Sequence, residues 1–404
     1  MSGRRLLYAP AFIGLLVTNF VLGLTSAFVV PFGSLWATQE VGMSPGRLGL
    51  FMTLNAISGI LISTLVGRWS DSHVARRTLL LLGASAGALG YVGYAYVHDP
   101  ILIIVIGSTA IAVASLNFAQ LFAHVREELG RHDGADATFL MGVLRACFSL
   151  AWAVGPNIGA SLKGRFGYFG LFWTTTLFFL ALIVFVLLFV AHRPRTADIR
   201  PEVAGAAAWG LGEPRVLAHC VAFGLLFAAF TLNSLNLPLF LKDKLGGSDQ
   251  GVGFAFAISP VCEMLFMVGF GHLAARGHQR AVILLGASAA IAYFLALRLV
   301  SAPWQVYPLQ ILNASAVAVV TSVAIPYFQD LLPRRAGIAT SLYSNALKAG
   351  SLVGFTTFGL LASRVGNTGL FLVCAGLGTT TLVLLALSRP AHGEAALEPR
   401  KASP

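Results

Sequence analysis

Charge is what this sequence has least of. Only 11% of its 404 residues are Asp, Glu, Lys or Arg, and only 16 are acidic, against roughly 25% charged in a soluble domain. So few charges cannot cover a water-facing surface, which excludes a soluble globular protein. Cysteine is almost as scarce: Cys147, Cys220, Cys262 and Cys374 stand apart in apolar segments. No C-x-x-C pair occurs, so a disulfide framework and a thiolate metal centre are not expected. The nine histidines fall mostly in loops or at the ends of apolar runs, which argues against a histidine proton relay inside a membrane. The 43 glycines form no GxxxxGK[ST] segment, so direct drive by ATP has no phosphate cradle. No nucleophile and no cluster of metal ligands is visible, and the chain is expected to be neither an enzyme nor the holder of a metal or cofactor.

What the sequence does have is apolar length. Hydrophobic residues make up 57% of it and the mean hydropathy is +0.80. Runs long enough to cross a hydrocarbon core of about 30 Å can be read twelve times: 11–38, 47–67, 78–97, 100–122, 138–161, 168–191, 215–241, 251–274, 281–300, 304–327, 338–363 and 367–388. The first continues too far for a signal peptide and lacks an A-x-A exit, so it is read as a span. The expected fold is therefore all-α and integral to the membrane, with twelve transmembrane helices.

The placement of positive charge orients these spans. If the N-terminus is cytoplasmic, 18 of the 27 Lys and Arg fall on that side and 6 on the other, leaving Arg145, Arg298 and Lys348 at membrane depth. That split places both termini in the cytoplasm of a multi-pass protein of the cell (inner) membrane. Topology then accounts for the net charge of +11. Its dispersal over short loops excludes a nucleic-acid partner. The longest polar interruption, His192 to Arg215, divides the chain into an N-terminal bundle of six helices over 1–191, a cytoplasmic linker over 192–214 and a C-terminal bundle over 215–388. A polar tail over 389–404 is expected to be disordered.

The halves echo one another. LLGASAGALGY at Leu81 to Tyr91 recurs as LLGASAAIAYF at Leu284 to Phe294, an offset of 203 residues, and the same offset carries Arg145 onto Lys348. Two pseudo-symmetric helical halves suit alternating access around a midplane site. Charges within spans are costly and need a functional reason. Glu263 is the one acidic residue in any span, so it is the one side chain there that can become neutral by gaining a proton. It is the candidate proton-coupling carboxylate; a static ion pair is the alternative role.

Two further motifs carry a resemblance. GRWSDSHVARR, Gly67 to Arg77, lies between the second and third spans, and AWAVGPNIGA, Ala151 to Ala160, lies in the fifth. The first resembles the cytoplasmic loop motif of the major facilitator superfamily through Gly67, Asp71, Arg76 and Arg77, with Val74 where a second Gly is usual. The second resembles the exporter and antiporter motif of that superfamily through Gly155, Pro156 and Gly159, with Ala151 and Ala160 in place of Gly. More of the chain, including FLMGVLRACFSLAWAVGPNIGA, LNLPLF and the run from Leu309 to Gly350, is similar to the sugar efflux transporter family of that superfamily.

The resemblance implies the major facilitator fold and proton-driven export of sugars or glycoside-like compounds. It implies that Asp71 and the basic pair form a charge lock at one gate, and that Gly155, Pro156 and Gly159 bend the fifth helix. In that fold the fifth span packs beside the eighth and the second beside the eleventh, which would set Arg145 against Glu263 and Lys348 across from Asn55. The fourth, seventh and tenth spans would line the cavity, making Asn117, Gln120, Asn236 and Asn313 the best candidates for substrate contact beside Asn55. Amides suit vicinal hydroxyls, and an interior rich in amides and poor in acids favours a neutral hydroxylated solute. The expected partners are that solute, protons and the lipid bilayer, with the chain a monomer. A multidrug exporter on the same fold and a solute receptor that does not transport are the alternatives.

Overall fold

The computed structural model describes residues 10–70, 74–129, 134–191, 214–332 and 335–388. The linker expected over 192–214, except Pro214, and the tail expected over 389–404 lie outside the described residues, as does Asp71. Among the described residues the chain is helical without a strand, as its composition predicts. Among the described residues, nine helical stretches are long and apolar enough to cross a membrane. Three of these, Phe139–Phe189, Asp249–Leu299 and Gly337–Leu387, run for 51 residues, more than twice the ~20 that one crossing needs. Each is broken by a glycine at positive φ: Gly167, Gly277 and Gly366. Only glycine enters that region cheaply, and at each of these residues one helix gives way to another within the stretch.

The internal echo reaches down to single hydrogen bonds. The first helical rod closes in a π-turn, Trp36–Glu40, followed by Gly42 at positive φ. The Pro214–Leu239 helix closes in a π-turn, Phe240–Lys244, followed by Gly246 at positive φ. Val41 N donates to Trp36 O and Met43 N to Ala37 O, and the same pair of bonds recurs from Leu245 N to Phe240 O and from Gly247 N to Leu241 O. These turns extend both rods past the apolar runs read from the sequence, because a wound terminus satisfies carbonyls that would otherwise be left open. Ser44 and Ser248 then start the next helices, their hydroxyls accepting from Arg47 N and Gly251 N. Further along, π-turns interrupt the rods at Gly107–Ile111 and at Val319–Val323.

Successive rods alternate in direction. One end of the bundle therefore gathers the chain around 36–45, 163–168, 242–249 and 364–367, and is here called the distal end. The other, proximal end gathers the sides nearer the termini. At the distal end a continuous hydrophobic cluster runs from Phe28, Phe32 and Leu35 of the first half into Leu235, Leu237 and Val252 of the second. A separate cluster around Leu80, Leu121, Leu144 and Leu182 belongs to the first half alone. Leucines and valines such as Leu89, Leu265, Val268 and Leu299 are exposed on the outer faces. A surface this apolar suits lipid, where helices are stable because their backbone bonds are satisfied internally.

Candidate functional site

A cavity of about 340 Å³ lies between the halves. Its wall comes largely from the first half and is rich in aromatic rings, among them Trp36, Phe51, Tyr91, Tyr94, Phe172 and Phe179. Trp36 packs against Tyr94 at 4.8 Å and edge-on to Phe172 at 4.9 Å, and Tyr91 stacks on Phe179 at 5.6 Å. Mutual contacts of this kind fix the planes of the rings. The second half contributes Ser234, Leu235 and Phe355.

Three of the hydroxyls in the wall are engaged by their own helices. Thr25 donates to Leu22 O at 2.7 Å, Ser115 to Ala112 O at 2.6 Å and Ser234 to Thr231 O at 2.7 Å. Tyr94 differs: its Oη is buried without a hydrogen-bond partner. It sits over Gly107, where a Cβ would stand 2.8 Å from it. Tyr94 Oη is thus turned away from the cavity, and Ser26, Tyr91 and the half-buried Asn55 amide are the remaining polar residues of the wall.

Of the five amides expected at the substrate, Asn55 lines the cavity and the other four do not. Asn117 is fully buried against Gly83, and neither of its amide atoms has a partner. Gln120 accepts from Arg76 Nη1 at 3.0 Å. Asn236 donates to Asn367 O at 2.8 Å. Asn313 donates to Ser259 Oγ at 3.1 Å and lies 3.4 Å from Gln310 Oε1, in a network where Gln310 and Asn233 both donate to Tyr293 Oη. Gln120, Asn236 and Asn313 tie helices together, and Asn117 is packed against one. A family resemblance names the helix that borders a cavity, but each residue turns the helix by 100° and only packing decides which face looks inward.

The membrane-depth charges stand apart. Glu263 accepts from Thr321 Oγ1 at 2.9 Å, and among the described residues no ion pair within 4.0 Å joins Arg145, Glu263 or Lys348 to any partner. The expected facing of Arg145 and Glu263 is therefore not a contact in this structure, although their helices do pack together. All three lie roughly 15 Å from the proximal end of their helices at 1.5 Å per residue.

The ties between the halves lie elsewhere, toward the distal end. Lys163 Nζ donates to Asp249 Oδ1 at 2.7 Å, and Lys242 from the same half as Asp249 reaches the same oxygen at 2.9 Å. The Lys163 side chain is only 9% exposed, with its ammonium 4.7 Å from the Tyr168 ring centroid. Gln39 donates to Asp243 Oδ1 and Gln250 to Ser161 Oγ, both at 2.8 Å. Backbones meet beside these ties. A Cβ on Gly253 would stand 2.6 Å from Pro156 O and 2.9 Å from Ala160 Cβ, and one on Gly49 would stand 2.4 Å from Gly359 Cα. The sequence reading missed this seam. Its signal was a serine with a glycine five residues on, Ser44 with Gly49 and Ser248 with Gly253, repeated at an offset of 204.

The two motifs have local partners. Arg76 Nη2 also donates to Glu127 Oε1 at 2.6 Å, and Arg77 Nη2 to Leu187 O at 2.8 Å, so the basic pair binds its own half together. Gly67 belongs to the Pro45–Ser70 helix. Gly155 and Gly159 admit the first rod, with Cβ positions 2.6 Å from Ala27 Cβ and 3.0 Å from Phe28 O. Pro156 lies within the helix, with its carbonyl packed close to Gly253.

Paired helical halves, a cavity between them and a seam shut at one end define a membrane transporter of the alternating-access class. The sequence profile of the Major Facilitator Superfamily matches residues 15–219 and again 219–404. A protein of Deinococcus radiodurans bearing the sugar efflux transporter name is 34% identical over 391 residues, covering 94% of this chain and 99% of that one. Sugar efflux transporter A of Dickeya chrysanthemi is 30% identical over 368 residues, 89% of this chain and 91% of its own. Among solved structures, a point mutant of the nucleoside transporter NupG superposes with a TM-score of 0.80 at 14% identity, over 94% of this chain and 99% of that one, which shows the shared fold. The chain belongs to the major facilitator superfamily and, within it, to the sugar efflux transporter family.

Proposed function

We propose that this protein exports a neutral hydroxylated solute, a sugar or a glycoside, against proton entry, and that Glu263 is the carboxylate that takes up the driving proton. The supporting observation is the asymmetry of the cavity's two ends: ion pairs and glycine contacts shut the distal end, while Arg145, Glu263 and Lys348 stand unpaired toward the other. With both termini in the cytoplasm, as the distribution of Lys and Arg favours, this is the cytoplasm-facing state. The halves over 1–191 and 215–388 would rock about the cavity as a monomer in the inner membrane, joined by the 192–214 linker. Closing the proximal end would then bring Arg145 toward Glu263. The Arg76 and Arg77 loop, with Asp71, would steady that gate, and Gly155, Pro156 and Gly159 would serve the fifth helix as it moves.

The test is purified protein in proteoliposomes under an imposed pH gradient, with labelled sugars, glycosides and cationic drugs. Gradient-driven sugar flux is expected in the wild type, and in Glu263→Gln it should fall by the roughly 5- to 150-fold that a coupling energy of 1–3 kcal/mol represents. Exchange without a gradient should persist in that variant. Full gradient-driven flux in Glu263→Gln would remove the coupling role. Drug flux without sugar flux would make this a multidrug exporter, and absence of counterflow would make it a receptor.

The cavity wall makes its own prediction. Asn55→Leu keeps the size and deletes the amide that lines the cavity, so KM for a hydroxylated substrate should rise about fivefold, the worth of one ordinary hydrogen bond, with kcat little changed. An unaltered KM would mean that the Asn55 amide does not meet the solute.

A further inference from the structure

Thr321 stands where its helix loosens. The Val306–Ala318 helix passes into the π-turn Val319–Val323 before resuming at Ala324. A π-turn shifts carbonyls off the regular ladder, and here side-chain hydroxyls take them up. Ser322 Oγ donates to Ala318 O at 2.6 Å, and Tyr343 Oη, from the following helix, donates to Val320 O. Thr321 Oγ1 lies 3.0 Å from Val317 O and 3.3 Å from Ala318 O. Pinned in this way, the turn presents the Thr321 hydroxyl to Glu263, with Oε1 2.9 Å away.

A hydroxyl has one proton to donate and two lone pairs, so Thr321 cannot serve Val317 and Glu263 as donor at once. With Glu263 ionised, the hydroxyl proton points to the carboxylate in a charge-assisted bond. With Glu263 protonated, the carboxyl O–H donates to Oγ1 and the Thr321 proton turns to Val317 O, already within reach. Neither state leaves the carboxyl without its partner, and no heavy atom has to move.

We propose that Thr321 is the positioning residue for Glu263, its hydroxyl held by the π-turn so that it partners the carboxyl in both protonation states. The only proton exchanged with solvent is the one on Glu263; Thr321 keeps its own and rotates it. The proposal rests on reading Glu263 as the proton-coupling carboxylate.

Little else competes for that role at this depth. Of the elements packed against the Asp249–Leu273 helix, the Gly134–Phe189 helix brings Arg145, unpaired and beyond 4.0 Å, and Cys147, which bonds to Leu16 O. The segment Val306–Val323 has no charged residue, and its Tyr307 sits near the distal end. The Gln279–Leu299 helix carries Arg280 and Arg298 near its ends, with Tyr293 bound to Asn233 and Gln310. Arg276 and His278 lie in the proximal turn, and Lys242, Asp243 and Lys244 at the distal end.

The experiment compares wild type, Thr321→Val, Thr321→Ser and Glu263→Gln in proteoliposomes, recording gradient-driven sugar flux and gradient-free exchange across pH. Valine keeps the branched shape and loses the hydroxyl. It should displace the pH midpoint of driven flux by about one unit and lower that flux about tenfold, the scale of one hydrogen bond to a charged group, with exchange within about twofold of wild type. Serine should overlay the wild type. A wild-type profile in Thr321→Val, a serine variant that behaves like valine, or loss of exchange together with driven flux would each overturn the proposal. If Glu263→Gln keeps full driven flux, the carboxylate reading itself has failed. If that variant loses driven flux while Thr321→Val does not, only the role of Thr321 has.

Discussion

Gly253→Val is expected to leave the protein folded and to stop transport. The Cβ alone would overlap the Pro156 carbonyl at 2.6 Å and Ala160 Cβ at 2.9 Å, and the first of these is backbone, which cannot swing aside. The overlap exists only while the distal seam is shut. Parting the halves relieves it, so the substitution acts on the balance between states more than on folding. Overpacking costs about 1–3 kcal/mol, enough to shift that balance by up to roughly 100-fold, and a transporter that cannot close one gate cannot complete its cycle. Gly49→Val should act in the same way, because its Cβ would meet Gly359 Cα at 2.4 Å. The measurement is labelling of Ser161→Cys by a membrane-impermeant thiol reagent, with the four native cysteines replaced, alongside solute flux. Faster labelling with lost flux is expected. Wild-type labelling and flux would mean that the halves do not part at this seam.

Asp249→Asn should open the same seam through charge. Lys163 and Lys242 converge on one Asp249 oxygen, and Lys163 is nearly buried. Removing one partner of a buried pair costs about 3–5 kcal/mol, because the remaining charge is stranded. Here two like charges are left beside each other, and the stranded ammonium regains water when the halves separate. The expected result is a population open at the distal end raised by roughly two orders of magnitude, seen as fast distal labelling and slow turnover. The double variant Lys163→Met with Asp249→Asn removes the stranded charge, so it should recover much of the flux that the single change loses. If the double variant is as impaired as the two single changes combined, the two residues act independently and the ion pair does not hold the gate.

These effects show where sequence and tertiary structure divide the work. Class and architecture were legible in the sequence because the bilayer imposes a one-dimensional rule: each crossing needs an apolar run of set length, and loops carry the positive charge. The duplication was legible too, since LLGASAGALGY and LLGASAAIAYF are the same helix built twice, each with a glycine, Gly83 or Gly286, that admits a neighbouring helix through Asn117 or Val319. Glu263 stood out as a lone acid in apolar surroundings. The face that each residue presents was not legible. Asn117, Gln120, Asn236 and Asn313 sit on suitable helices but spend their amides on, or bury them against, other helices, while Trp36, Tyr91 and Tyr94, ordinary aromatic residues in a chain with many, form the wall. Nor does local sequence distinguish Lys163 and Asp249 from other loop charges. Their partnership joins residues 86 positions apart and exists only because rods from the two halves meet there, a property of rotation and register that packing decides.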